Sequence, residues 1–228
     1  GDGMLGDFAA AAGLNVLVGL ALAFAFHRYR RELKARDGFL LVTLVWVMMS
    51  AAASVPLMMA IPGLSFTDAY FEAMSGLTTT GSTVLTGLDA LPPSVNLWRS
   101  ALHWFGGLGI IVLAVAVLPL LGVGGMQVYK AESPGPVKDE KLTPRITQTA
   151  KALWLVYTGI TAAGAIALHA AGMTWLDAIC HAFSAIGLGG FSTHDSGIGY
   201  YNSAAVEFVL ILIMLIACMN FSRPFMAV

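Results

Sequence analysis

The chain has 228 residues, of which 57% are hydrophobic and only 11% charged, with a mean hydropathy of +0.78. Soluble domains carry about 25% charged residues, so this composition excludes an ordinary soluble domain and points to a polytopic, all-α integral membrane protein. The formal net charge of −1 is uninformative by itself; where the charges sit is what matters.

In chain order, Phe8 to Phe26 is a first apolar run of 19 residues, followed directly by HRYRRELKAR. A signal peptide carries its positive charges before the apolar stretch, so this run reads as a membrane helix with its carboxyl end in the cytoplasm. Gly38 to Ile61 is a second span, long enough for the roughly 20 residues the hydrocarbon requires, with Pro56 and Pro62 expected to close its far end. The stretch Asp68 to Thr83, DAYFEAMSGLTTTGST, has a helical pattern too brief to cross a bilayer and then runs into threonines and a glycine. Leu85 to Asn96 reads as a polar loop. Leu97 to Leu121 reads as a third span, in which Arg99 can snorkel to the headgroups or pair with an acid of the preceding dip. A polar connection at Gly122 to Thr149, a fourth span at Ala150 to Ala171, a second short dip at Asp177 to Thr193 and a fifth span from Ala204 to Asn220 complete the chain. The missing initial methionine and the break at Val228, soon after an apolar run, suggest part of a longer protein.

Positive charges concentrate in cytoplasmic loops. Of the 12 Lys and Arg residues, five lie in 28–36, five in 130–151 and one at Arg223. Only Arg99 falls on the other side, which places both dips on the outer face. The expected organisation is an N-terminal helix and basic loop (1–37), a span–dip–span unit (38–121), a cytoplasmic loop (122–149) and a second span–dip–span unit (150–228).

The two dips superpose at an offset of 109: Asp68 meets Asp177, Ala69 meets Ala178, Ala73 meets Ala182, Ser75 meets Ser184 and Gly81 meets Gly190, without a gap. The flanking spans superpose too, so the units are parallel repeats. Asp68 and Asp177 stand where a carboxylate caps the free N–H groups of a short pore helix. The helix then aims its carbonyl end at the membrane centre, which favours a cation. Irregular backbone at that depth is tolerated where it lines a water-filled path. Gly81 and Gly190 can take positive φ, and the carbonyls of Thr79, Thr80, Leu188 and Gly189 are the candidate ion ligands of a selectivity filter.

SGLTTTGST with the downstream GLDALP, the run HWFGGLGIIVLAVAVLPLLGVGGMQVYKAESPGP, and IGLGGFSTHDSGIGY together resemble the Trk/Ktr/HKT potassium transporters. The likeness is nearest to the TrkH-like membrane subunits of bacterial Trk systems and extends from about Gly38 onward. It implies four span–pore-helix–span repeats around one pore, of which two are present. It also implies K⁺ bound as the transported ion by backbone carbonyls at Thr79, Thr80, Leu188 and Gly189, with Gly81 and Gly190 as filter glycines and no organic cofactor. Implied as well are homodimers, a cytoplasmic nucleotide-binding, TrkA-like regulatory subunit, and a place in the bacterial inner membrane. The family's gating loop and pore-facing arginine belong to repeats beyond Val228, and NFSRPFMAV reads unlike the usual continuation of a second repeat. A cation channel assembled from two copies of this half-chain is the alternative; a membrane enzyme would need paired ionisable residues at midspan, which the spans lack.

Other residues have plainer readings. Glu72 and His181 occupy equivalent positions in the short helices and are expected to hydrogen-bond behind the filter, the functional alternative being vestibule tuning or pairing with Arg99. His103 and His169 read as interfacial. Glu207 is either an attractor of cations or an interface residue, Gly122, Gly124 and Gly125 read as a helix stop, and Cys180 and Cys218 read as buried small hydrophobes. There is no G-x-x-x-x-G-K-[ST] loop, so nucleotide binding by this chain has no support.

Overall fold

A computed structural model describes residues 2–29, 35–117 and 142–218. The described residues form seven α-helices and no strand: α1 (Leu5–Phe26), α2 (Ala35–Ala60), α3 (Phe66–Leu77), α4 (Pro93–Val117), α5 (Leu142–Ala170), α6 (Trp175–Ile186) and α7 (Ala204–Cys218), with 3-10 turns at Leu88–Ala90 and Gly197–Tyr201. Three helices hold windows long and apolar enough to cross a membrane, Leu5–Phe26, Leu40–Ala60 and Lys151–Ala170. Gly122, Gly124 and Gly125 of the connection and most of the basic loops lie outside the described residues.

Two expected boundaries shift. Pro56 lies inside α2, which ends at Ala60 before Pro62, so it is the second proline that coincides with the stop. The loop ahead of α4 is shorter than expected because Pro93 opens that helix; at a first helical position the missing N–H costs nothing and the fixed φ is already helical.

The packing centres on α4, which contacts both short helices, α3 and α6, while α2 backs α3 and α5 backs α6. Two cores result. Ala53, Leu57, Ala69, Ala73, Leu77 and Leu102 fill the first; Tyr157, Leu168, Ala178, Ala182, Val206 and Leu210 belong to the second. In an apolar solvent, helices associate through close packing of small residues and through hydrogen bonds rather than through a hydrophobic drive. Accordingly, Ser50 and Ser54 are buried on α2, the Trp98 indole donates to the Ala53 carbonyl at 3.0 Å, and Tyr157 Oη donates to the Trp104 carbonyl at 3.1 Å. Gly106 on α4 allows a very close approach, since an added Cβ would sit 1.9 Å from the Leu77 carbonyl oxygen. Only glycine lets α4 lie directly against the end of α3.

Candidate functional site

Both short helices start in the same way. Ser65 is the N-cap of α3: its hydroxyl accepts from the Asp68 amide at 3.1 Å and donates to Asp68 Oδ2 at 2.8 Å. Thr174 caps α6 with the same two bonds to Asp177, at 3.2 and 2.7 Å. The sequence reading of Asp68 and Asp177 as the caps is therefore corrected. The hydroxyl residues three positions earlier are the caps, because their extended backbone lets the side chain fold over the first turn, and each aspartate accepts from its cap's hydroxyl from inside that turn. Asp177 does more than Asp68, since its Oδ1 also accepts from Thr193 Oγ1 at 2.7 Å beyond the turn.

The helix ends match as well. The Thr79 amide donates to the Gly76 carbonyl at 3.0 Å and the Thr80 amide to Ser75 at 2.9 Å; 109 residues later, Leu188 donates to Ala185 at 3.1 Å and Gly189 to Ser184 at 2.9 Å. These paired bonds define a Schellman ending, which requires a left-handed residue just past the helix. That residue is Thr79 (φ 54°) in one and Leu188 (φ 57°) in the other. Left-handed backbone costs an L-residue with a side chain roughly 1–2 kcal/mol, and strain of this kind gathers at functional sites. The sequence reading gave positive φ only to Gly81 and Gly190. These do have positive φ, 77° and 90°, but the chain first turns two residues earlier. Left-handed residues at 79 and 81, and at 188 and 190, thus bracket Thr80 and Gly189.

The two segments touch. A Cβ on Gly81 would lie 1.7 Å from the Gly189 carbonyl oxygen, whereas one on Gly190 would meet nothing within 4 Å. Gly189, one of the candidate ion ligands, therefore meets the first turn at Gly81, and this contact forms a seam between the two turns. Thr80, Leu188 and Gly190 are exposed.

Behind the seam runs a buried polar layer. Arg99 Nε donates to Glu72 Oε1 at 2.7 Å, with both side chains essentially inaccessible (1% and 0% exposed). Glu72 also accepts from the Thr83 hydroxyl at 2.9 and 3.0 Å and from the Val84 amide at 3.1 Å. The remaining guanidinium donors reach Asn96 Oδ1 (3.2 Å), the Ser192 carbonyl (3.3 Å) and Thr83 Oγ1 (3.2 Å), and the guanidinium carbon stands 4.4 Å from the Phe191 ring centroid. In the second segment His181 Nε2 meets Ser192 Oγ at 3.0 Å while Nδ1 meets the Asp177 carbonyl at 2.8 Å. Because a carbonyl only accepts, Nδ1 carries the proton and Nε2 accepts from the serine. His103, read from the sequence as interfacial, is buried instead: it bonds Ser184 Oγ at 2.9 Å and stacks on Phe191 at 4.1 Å, because α4 is drawn against the second turn. His169 stacks on Trp175 at 3.9 Å. Cys180 is buried but Cys218 is exposed, the latter lying at the end of the outward-facing α7.

Beyond the turns, the loops cross-link. Asp89 accepts from His194 Nδ1 and, at 3.1 Å, from the Asp195 amide; Asp195 Oδ1 accepts from the Leu88 amide at 3.1 Å; and Asn96 Nδ2 donates to Leu88 at 2.9 Å. Bonding first to His194 and then to the Asp195 amide holds the Asp89 carboxyl below the usual carboxylate range. Glu207 borders a cavity of about 410 Å³ between α6 and α7, alongside Leu188 and Gly189. Among the described residues no cluster of His, Cys, Asp and Glu could hold a metal ion through side chains.

Apolar helices of spanning length and an all-helical bundle built round two capped, sharply reversed short helices define the class as an integral membrane protein. The chain belongs to the TrkH family of cation transport proteins, whose family model matches residues 6–227. It is 52% identical over 227 residues to the Trk system potassium uptake protein TrkH of Halomonas elongata, covering 99% of this chain and 47% of that protein. Identity to the protein of the same name from Vibrio parahaemolyticus is 55% over 205 residues, covering 90% and 42%. The crystal structure of the potassium transporter TrkH from Vibrio parahaemolyticus superposes with a TM-score of 0.84 at 45% identity, covering 98% of this chain and 44% of that one. The chain spans about half the length of the curated relatives it matches.

Proposed function

We propose that this chain supplies two of four filter segments of a potassium uptake protein, with K⁺ held by the backbone carbonyls of Thr79, Thr80, Leu188 and Gly189. The observation that carries this reading is the matched pair of Schellman reversals at Thr79 and Leu188, each followed by a positive-φ glycine and brought together where Gly81 meets the Gly189 carbonyl. Such an arrangement suits carbonyl ligation, since exposed irregular backbone inside a bilayer is tolerated along an aqueous path and rings of carbonyls replace an ion's hydration shell. The names of the relatives, potassium uptake proteins of Trk systems, support the choice of ion. In this reading α3 and α6 are re-entrant pore helices that start at the outer face, and residues 38–121 and 150–228 are parallel repeats after an N-terminal helix. The protein sits in the bacterial inner membrane as a homodimer, with a TrkA-like regulatory subunit against its basic cytoplasmic loops.

The test is G81S in the full-length protein, with K⁺ and Na⁺ uptake measured in cells lacking other K⁺ systems. A fall in K⁺-over-Na⁺ selectivity is the expected result; unchanged selectivity sinks the filter assignment.

A further inference from the structure

The pore-helix residue that braces each turn differs in chemistry between the two halves although its task is the same. Glu72 and His181 are equivalent at the 109-residue offset, and so are their hydroxyl partners Thr83 and Ser192. In both halves the second turn of the short helix reaches past the reversal and holds a hydroxyl two residues beyond the filter glycine, at 2.9 Å from Glu72 and 3.0 Å from His181. The second brace is complete within its own half, because His181 is satisfied by Asp177 and Ser192. The first is not, because a buried carboxylate needs a cation.

Arg99 is that cation, and it does not stop at neutralising Glu72. Its planar fork presents five donors in fixed directions, and these bind Thr83 in the first segment, Ser192 in the second and Asn96 on α4. The residue at the offset from Arg99 is Phe208, which cannot repeat the role. One guanidinium thus spans the seam, and nothing equivalent crosses it from the other side among the described contacts.

We propose that Glu72 and Arg99 are positioning residues for ion selection: the pair fixes the spacing of the segment after Gly81 relative to the segment after Gly190, and thereby the width of the carbonyl site at their junction. This rests on the filter reading above. A buried ion pair is a poor source of net stability, since desolvating both ions offsets most of their attraction, yet losing one partner is strongly destabilising. Geometric registration is the better account of why such a pair stands here. The Phe191 ring beneath the guanidinium and the His103 ring stacked on Phe191 keep the fork from tilting.

In the full-length protein, E72Q and R99Q each lower the K⁺/Na⁺ uptake ratio by about tenfold, the factor that corresponds to about 1.4 kcal/mol of differential binding, and raise KM for K⁺ more than they reduce maximal uptake. G81S runs in parallel. If G81S alters the ratio while E72Q and R99Q leave it within about twofold at normal membrane abundance, the pair is structural only and the proposal falls with the filter reading intact. If G81S leaves the ratio unchanged, the filter reading falls and takes the proposal with it. Should R99Q not accumulate in the membrane, R99K decides. It keeps the charge but cannot span both segments, so a lowered ratio supports registration and a wild-type ratio overturns it.

Discussion

The two turns, residues 65–84 and 174–193, have nearly the same backbone and quite different surroundings. Caps, cap-to-aspartate bonds, Schellman bonds and left-handed residues recur at one offset. The bracing side chains are a carboxylate and guanidinium in one and an imidazole in the other. If the working atoms are carbonyls, only the backbone path must be kept, and the groups that hold it in place are free to diverge. The halves have also become mutually dependent, because the first borrows the backbone of the second at Ser192 and presses Gly81 against Gly189.

Three sets of substitutions sharpen this comparison, the largest effect first. G81A and G190A alter equivalent positions with similar φ, but a Cβ at 81 would lie 1.7 Å from a backbone oxygen and one at 190 meets open space. G81A should abolish selective K⁺ uptake, whereas G190A should pay only the left-handed cost of about 1–2 kcal/mol, measured as a modest fall in melting temperature of the detergent-solubilised protein with uptake retained. Equal damage from both would mean that φ, not the seam, governs. Next, T83V and S192A each delete the braced hydroxyl. T83V leaves both Glu72 and Arg99 short of a partner inside the protein, a loss of about 1–3 kcal/mol, while S192A should cost about 1 kcal/mol; denaturation midpoints of the two variants test that order. Smallest is the loop link. The Asp89 carboxyl is lowered by its bond from His194, so its stabilising contribution is complete above the ordinary carboxylate range, near pH 4, and is lost as pH falls through the lower folded value. D89N should therefore lower the melting temperature slightly from about pH 4 upward and converge on the unsubstituted protein at the acid end, flattening the acid limb, as read by melting temperature against pH.

Much of this layout was legible in the sequence. Apolar runs located the helices, and the register of Asp68 with Asp177 located both short ones, because helix length and hydropathy are local properties. The caps were legible too, since Ser65 and Asp68, like Thr174 and Asp177, stand in the three-residue spacing of a capping box; the acidic member drew attention away from the hydroxyl one. The left-handed Thr79 and Leu188 could not be read locally, because propensity speaks against a β-branched or bulky residue at positive φ. They are held there by their own and the following residues' amide bonds back to the helix. The Arg99 fork was half legible: an acid of the dip was a foreseeable partner, but Ser192 lies 93 residues away, and no periodicity reports a contact at that distance. The burial of His103 depends in the same way on Gly106 and Gly107 letting α4 approach both turns.

Gly81 and Gly190 share one letter for two reasons, and those reasons decide how each position can drift. At 190 the demand is conformational and belongs to that residue alone, so Asn, which enters the left-handed region more readily than other side chains, is an admissible successor. At 81 the demand comes from a neighbour's carbonyl, and no single replacement satisfies it unless the partner segment moves as well. Two halves with matching backbones would therefore accumulate changes at unequal rates, and the slower position is the one whose constraint lies outside its own half.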